Sequence, residues 1–80
     1  MYTVYSKPNC PDCEAAKNTL NSHDLPFEVI DITQNQEGFD KLMSQGLRKL
    51  PQVFKQDTYI GDLMKTKMYI ENLNLTGLDF

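Results

Sequence analysis

The sequence predicts an α/β domain: a four-stranded mixed sheet with three helices distributed over both its faces. Three observations predict it. The chain is 80 residues long, which suits one domain over 1–80 and leaves no room for a second. Its elements read in the order strand, helix, strand, helix, strand, strand, helix. Its two cysteines, Cys10 and Cys13, form a Cys-x-x-Cys at the junction of the first strand and the first helix.

Each element has its own signal. Met1-Tyr2-Thr3-Val4-Tyr5 alternates and is β-rich, so it reads as a strand. After the loop Ser6-Lys7-Pro8-Asn9, Pro11 suits the first helical position, where its missing N–H costs nothing. That helix is expected from Pro11 to about His23, with Cys13, Ala16 and Leu20 along one face. Asp24-Leu25-Pro26 stops it, and Phe27 to Ile32 is a second strand. Thr33 and Gln36 have the spacing of a capping box. The helix they open is expected to turn Phe39, Leu42 and Met43 inward and to end at Gly46. Gln52–Lys55 and Thr58–Ile60, joined through Gln56-Asp57, read as a hairpin. Gly61-Asp62 opens a last helix with Leu63, Met64, Met68 and Ile70 at helical spacing. The tail from Leu73 to Phe80 fits either packing or fraying. Strands one and two, joined through a helix, should be parallel with a right-handed crossover. The last two should be antiparallel.

Composition removes several classes of function. Apolar residues are 40% and charged residues 24%, a globular balance. No apolar run approaches the roughly 20 residues of a membrane span. Met1 to Tyr5 lacks the basic and apolar regions of a secretory leader. The net charge of -3 gives no reason to expect nucleic acid as a partner. A disulfide between residues three apart closes too little chain to act as a staple. A zinc site needs about four ligands, and His23 is the sole histidine, so no metal is expected. Reversible thiol–disulfide chemistry in a reducing compartment remains.

The two thiols should differ. With Pro11 as the first helical residue, Cys10 is the N-cap, facing free N–H groups at the positive end of the helix dipole. Lys7, three residues earlier, adds a second positive field. Both favour the nucleophilic thiolate. Asp12 opposes them with a nearby carboxylate. Cys13 lies one turn further in, on the apolar face, and is expected to be buried. Cys10 then attacks and Cys13 resolves. His23, near a helix C-terminus, reads as structural, Met43, Met64 and Met68 as core filler, and Tyr5 and Phe54 as sheet residues.

Tyr5-Ser6-Lys7-Pro8-Asn9-Cys10-Pro11-Asp12-Cys13 resembles the active-site segment of glutaredoxins. Lys49-Leu50-Pro51-Gln52-Val53-Phe54 is similar to the family's Thr-Val-Pro and following strand, and Ile60-Gly61-Asp62 partly matches its Ile-Gly-Gly. The likeness covers roughly residues 1 to 72 and implies the thioredoxin fold. It also implies that Pro51 is cis and faces the cysteines, with the Leu50 backbone pairing with substrate like an added strand. For glutathione it implies Lys7 and Arg48 at the glycyl carboxylate and the helix start at Gly61, Asp62 and Leu63 at the γ-glutamyl carboxylate. Pro11 and Asp12 would lie beside the sulfur. Three positions depart from the family pattern. Asp62 replaces a glycine and could equally be an N-cap, Met64 replaces an acidic residue, and Asp12 stands where dithiol members often carry Tyr.

The resemblance implies a dithiol oxidoreductase and electron carrier with no tightly bound cofactor. It would be a cytoplasmic monomer, in a host cytoplasm if virus-encoded. Glutathione is the expected reductant and partner, and disulfide-bearing proteins such as ribonucleotide reductase are the expected clients. Two alternatives stand beside it: a glutaredoxin-like redoxin reduced by thioredoxin reductase, and a non-enzymatic iron–sulfur carrier.

Overall fold

A computed structural model describes residues 1–78, with side chains to residue 73. Its elements are β1 (Tyr2–Ser6), α1 (Pro11–Ser22), β2 (Phe27–Asp31), α2 (Gln36–Ser44), β3 (Gln52–Lys55), β4 (Thr58–Gly61) and α3 (Leu63–Leu78). The four strands form one sheet in the order β2-β1-β3-β4. β1 runs parallel to β2, with Val4 opposite Val29, and antiparallel to β3, with Val4 opposite Val53. β3 and β4 are antiparallel, with an irregularity between Val53 and Phe54. This is the thioredoxin fold that the element order and the resemblance imply.

Strand alternation divides the core in two. Tyr2, Val4 and Val53 meet Ala16 and Leu20 of α1 and Ile70 of α3 on one face. Tyr5 and Phe54 meet Leu42 of α2 on the other. On that second face the Tyr5 and Phe54 rings pack edge-on with centroids 5.5 Å apart. Tyr59 follows at 5.2 Å from Phe54, and the Lys41 ammonium lies 4.4 Å from the Phe54 centroid.

Helices α1 and α2 stop in the same way. Leu25 and Asp24 N–H groups donate to Leu20 and Asn21 carbonyls; Leu47 and Gly46 donate to Leu42 and Met43. Both ends are Schellman motifs, with the left-handed residue Asp24 (φ 56°) in one and Gly46 (φ 72°) in the other. In each, the apolar residue after the turn joins the cluster holding the carbonyl's side chain, Leu25 with Leu20 and Leu47 with Leu42.

Three expectations need correction. α2 is capped by Asn35, whose side chain accepts from Gly38 N–H at 2.8 Å, not by Thr33. Thr33 instead donates through its N–H and hydroxyl to Asp31, because a short carboxylate two residues back offers a local turn. Phe39 is 40% exposed, leaving Leu42 as the anchor of α2. Met64 and Met68 are 70% and 57% exposed and are not core filler; Thr66 and Ile70 hold the inner face of α3. The backbone continues as helix through Leu78, while the side chains of Leu75 and Leu78, and Phe80 altogether, lie outside the described residues. No helix among the described residues is long and apolar enough to cross a membrane.

Candidate active site

The site begins where β1 hands over to α1. Asn9 takes a left-handed conformation (φ 58°), which Asn tolerates better than most residues, and this turns the chain out of the sheet. Cys10 follows in an extended conformation as the N-cap of α1, with Pro11 just inside. The Cys13 N–H donates to Cys10 Sγ at 3.2 Å, so sulfur takes the place of a capping oxygen. The two cysteines are joined as a disulfide with Cα atoms 5.2 Å apart. Cys10 keeps 9% of its surface and Cys13 none. An incoming thiolate therefore has a path to Cys10 alone.

Cys10 opens into a cleft of about 410 Å³. Lys7, Asn9, Pro11 and Asp12 form one wall, and Arg48, Lys49 and Leu50 form the other. A smaller hollow of about 140 Å³ continues past Asp12 and Lys49 to Pro51, Asp62, Leu63 and Met64. The Leu50–Pro51 bond is cis. The sequence-selected residues thus converge, except that Cys13 is sealed behind Cys10 and Gly61 lines neither space. Gly61 sits behind them at φ 136°, where an added Cβ would lie 2.6 Å from Lys65 Cβ.

Three cations and one carboxylate share the larger cleft. Lys49, which sequence reasoning did not select, lines both spaces and lies 3.8 Å from Asp62. Its position immediately before Leu50-Pro51 was the signal that could have found it. Asp62 resolves as an N-cap: its Oδ1 accepts from Lys65 N–H at 3.1 Å, at the start of α3. One of the free N–H groups of the first turn of α3 is therefore engaged by the protein's own side chain. Met64, expected inside, instead forms an exposed apolar edge of the smaller hollow. His23 lies away from the site; it caps α1, and its Nδ1 sits 2.9 Å from the Thr19 carbonyl. Among the described residues no group of three or more His, Cys, Asp and Glu could hold a metal ion.

The Lys49–Leu50–Pro51 segment is tied down from behind. Gln52, 4% exposed, donates through Nε2 to the Lys49 carbonyl at 2.7 Å. It accepts at Oε1 from the Tyr59 hydroxyl, also at 2.7 Å. Burial raises the Tyr59 pKa above its ordinary value near 10, and the Asp62 carboxylate raises it further.

The glutaredoxin family model matches residues 2–60. The glutaredoxin-like protein NrdH of Lactococcus lactis is 39% identical over 57 residues, covering 71% of this chain and 79% of that one. Among solved structures, the glutaredoxin-like NrdH-redoxin of Escherichia coli is similar with a TM-score of 0.72 and 29% identity. That match covers 78% of this chain and 82% of the other. Oxidized glutaredoxin 2 of Chlamydomonas reinhardtii aligns with a TM-score of 0.69 and 30% identity, over 96% of this chain and 77% of that chain.

Proposed function

The chain belongs to the glutaredoxin family and is a thiol–disulfide oxidoreductase, and from that premise we propose how its two sulfurs divide the work. In the reduced protein the Cys10 thiolate attacks a client disulfide. A Cys10–client mixed disulfide forms, and the client's other sulfur leaves as a thiolate that takes up a proton. Cys13 then loses its proton and attacks Cys10 Sγ. The client's second thiol departs and the Cys10–Cys13 disulfide closes. Two electrons and two protons reach the client. The observation that carries this assignment is the unequal exposure of the pair, with Cys10 at the cleft and Cys13 sealed behind it.

The oxidised pair must be reduced again by a two-electron donor. Our reading is a protein dithiol of the thioredoxin reductase class. Asp62 supports it, because its carboxylate occupies the start of α3 and places negative charge where a γ-glutamyl carboxylate would go. Asp12 adds a second negative charge. The solved NrdH-redoxin is described as having a thioredoxin-like activity profile. Glutathione is the second reading, favoured by Lys7, Arg48 and Lys49 around the larger cleft. By family resemblance the client is ribonucleotide reductase, met by a monomer in the cytoplasm, a host's if the chain is virus-encoded.

Turnover of a protein disulfide driven by NADPH and thioredoxin reductase, set against glutathione and glutathione reductase, tests the reading. Turnover is expected with the first system at rates well above the second. Efficient turnover with glutathione alone would replace the first reading by the second.

A further inference from the structure

A buried primary amide is costly unless its polar atoms find partners. Gln52 meets that demand in an unusual direction. Its neighbours on the same sheet face, Tyr5 and Phe54, are aromatic, yet its amide reaches along the sheet to the Lys49 carbonyl, two residues upstream of Pro51. Its oxygen is held in turn by Tyr59 on β4. Tyr59 is itself fixed by the Phe54 ring beside it. A hydroxyl on an edge strand is thereby connected, through two bonds of 2.7 Å, to the backbone that forms one wall of the cleft.

We infer that Gln52 and Tyr59 are positioning residues that hold the Lys49–Leu50 backbone in register for an extended client peptide. They touch neither sulfur. Their contribution is to keep the Leu50 backbone, which borders the cleft, ordered before the client arrives, so that pairing does not have to order the loop. The inference rests on the reading that client chains pair with Leu50, and it deepens that reading by naming what holds the pairing edge. It also assigns the preference: substrates with several backbone groups flanking the disulfide depend on the relay, and small disulfides do not.

The test uses Tyr59→Phe, which removes the hydroxyl and keeps the ring on Phe54, and Gln52→Leu. Chemically reduced protein is mixed with a disulfide-linked octapeptide or with hydroxyethyl disulfide, and single-turnover rates are followed to saturation. Backbone order at the Leu50 amide is read in parallel by NMR relaxation. For Tyr59→Phe the half-saturating octapeptide concentration is expected to rise about two- to tenfold, the worth of one neutral hydrogen bond. The maximal rate, and both parameters for hydroxyethyl disulfide, are expected to hold, while the Leu50 order parameter falls. In the Gln52→Leu background, Tyr59→Phe should have no further effect on the octapeptide, since the chain is already cut. A merely structural role would instead lower the maximal rate with both substrates. No change at Leu50 and none in half-saturation overturns the relay alone. A loosened Leu50 with unchanged half-saturation overturns it together with the pairing reading.

Discussion

At the residue scale, two side chains do most to set the chemistry. Cys13, fully buried one turn into α1, cannot meet a client directly. Cys13→Ser is therefore expected to leave the first attack intact and to accumulate Cys10–client mixed disulfides, seen as stable adducts by non-reducing electrophoresis and mass spectrometry. Cys10→Ser should form none. Asp62 is the second. Its Oδ1 caps α3 and its Oδ2 faces Lys49. Replacing it with glycine keeps a permissible cap at a cost of a few tenths of a kcal/mol and frees the helix start for an external anion. Asp62→Gly is expected to raise glutathione-dependent turnover about two- to fivefold, the scale of one exposed like-charge contact. Steady-state kinetics at varied glutathione decide it; no gain would mean that another residue excludes the tripeptide. The Cys-x-x-Cys and its helix cap were legible because Pro11 and the cysteine spacing fix one helical turn, whereas the convergence of Arg48 and Leu50 on Lys7 was implied only by the resemblance to glutaredoxins. Lys49 was not, because a lone surface lysine carries no periodic signal. The Gln52–Tyr59 bond was not either, since it joins residues brought together only by the β3–β4 pairing.

At the scale of elements, β4 ends and α3 begins within two residues, and Gly61 makes that possible. Its φ of 136° belongs to a region that side chains rarely adopt. The 2.6 Å approach of an added Cβ is to Lys65 Cβ, which is fixed to the helix backbone and cannot swing away. Gly61→Ala is expected to cost about 2–3 kcal/mol, measured by urea unfolding, and to displace the α3 start from the smaller hollow. The strands and helices themselves followed from pattern: β3 matches its expected bounds, and the other boundaries move by a residue or two. Helical spacing alone could not say which apolar residues face inward on α2 and α3. On α3 the inner row is Leu63, Thr66 and Ile70. A polar Thr66 sits in that row with its hydroxyl toward the Gly61 carbonyl, and so Met64 and Met68 fall outside. On α2 a single leucine meets the sheet squarely, and Phe39 is left on the flank.

At the scale of the whole molecule, each face of the sheet carries a tyrosine that ties stability to alkali. Burial, with the nearby Tyr69 phenolate as a lesser cause, raises the Tyr2 pKa above its ordinary value of 10.0. Tyr59 is raised as well, by burial and then by Asp62. A folded-state pKa above the unfolded one means that the native protein holds the proton more tightly. The stability linked to these groups is fully present below about pH 10 and is lost as pH rises through the folded values. Unfolding free energy is expected to be level from about pH 8 to 9 and to fall beyond about pH 10. Tyr2→Phe should flatten part of that decline in denaturant titrations, and Tyr59→Phe a smaller part, since its ring is 40% exposed.

The sealing of Cys13 behind Cys10 also dictates traffic. With one sulfur reachable from outside, every exchange passes through Cys10, where electrons both arrive and depart. Donor and client must take turns, and neither can be bound productively while the other is docked. Steady-state turnover should accordingly be ping-pong, with parallel lines in double-reciprocal plots and each substrate inhibiting competitively against the other at high concentration. The cell's ratio of donor to client, more than the affinity of either, would then set the throughput.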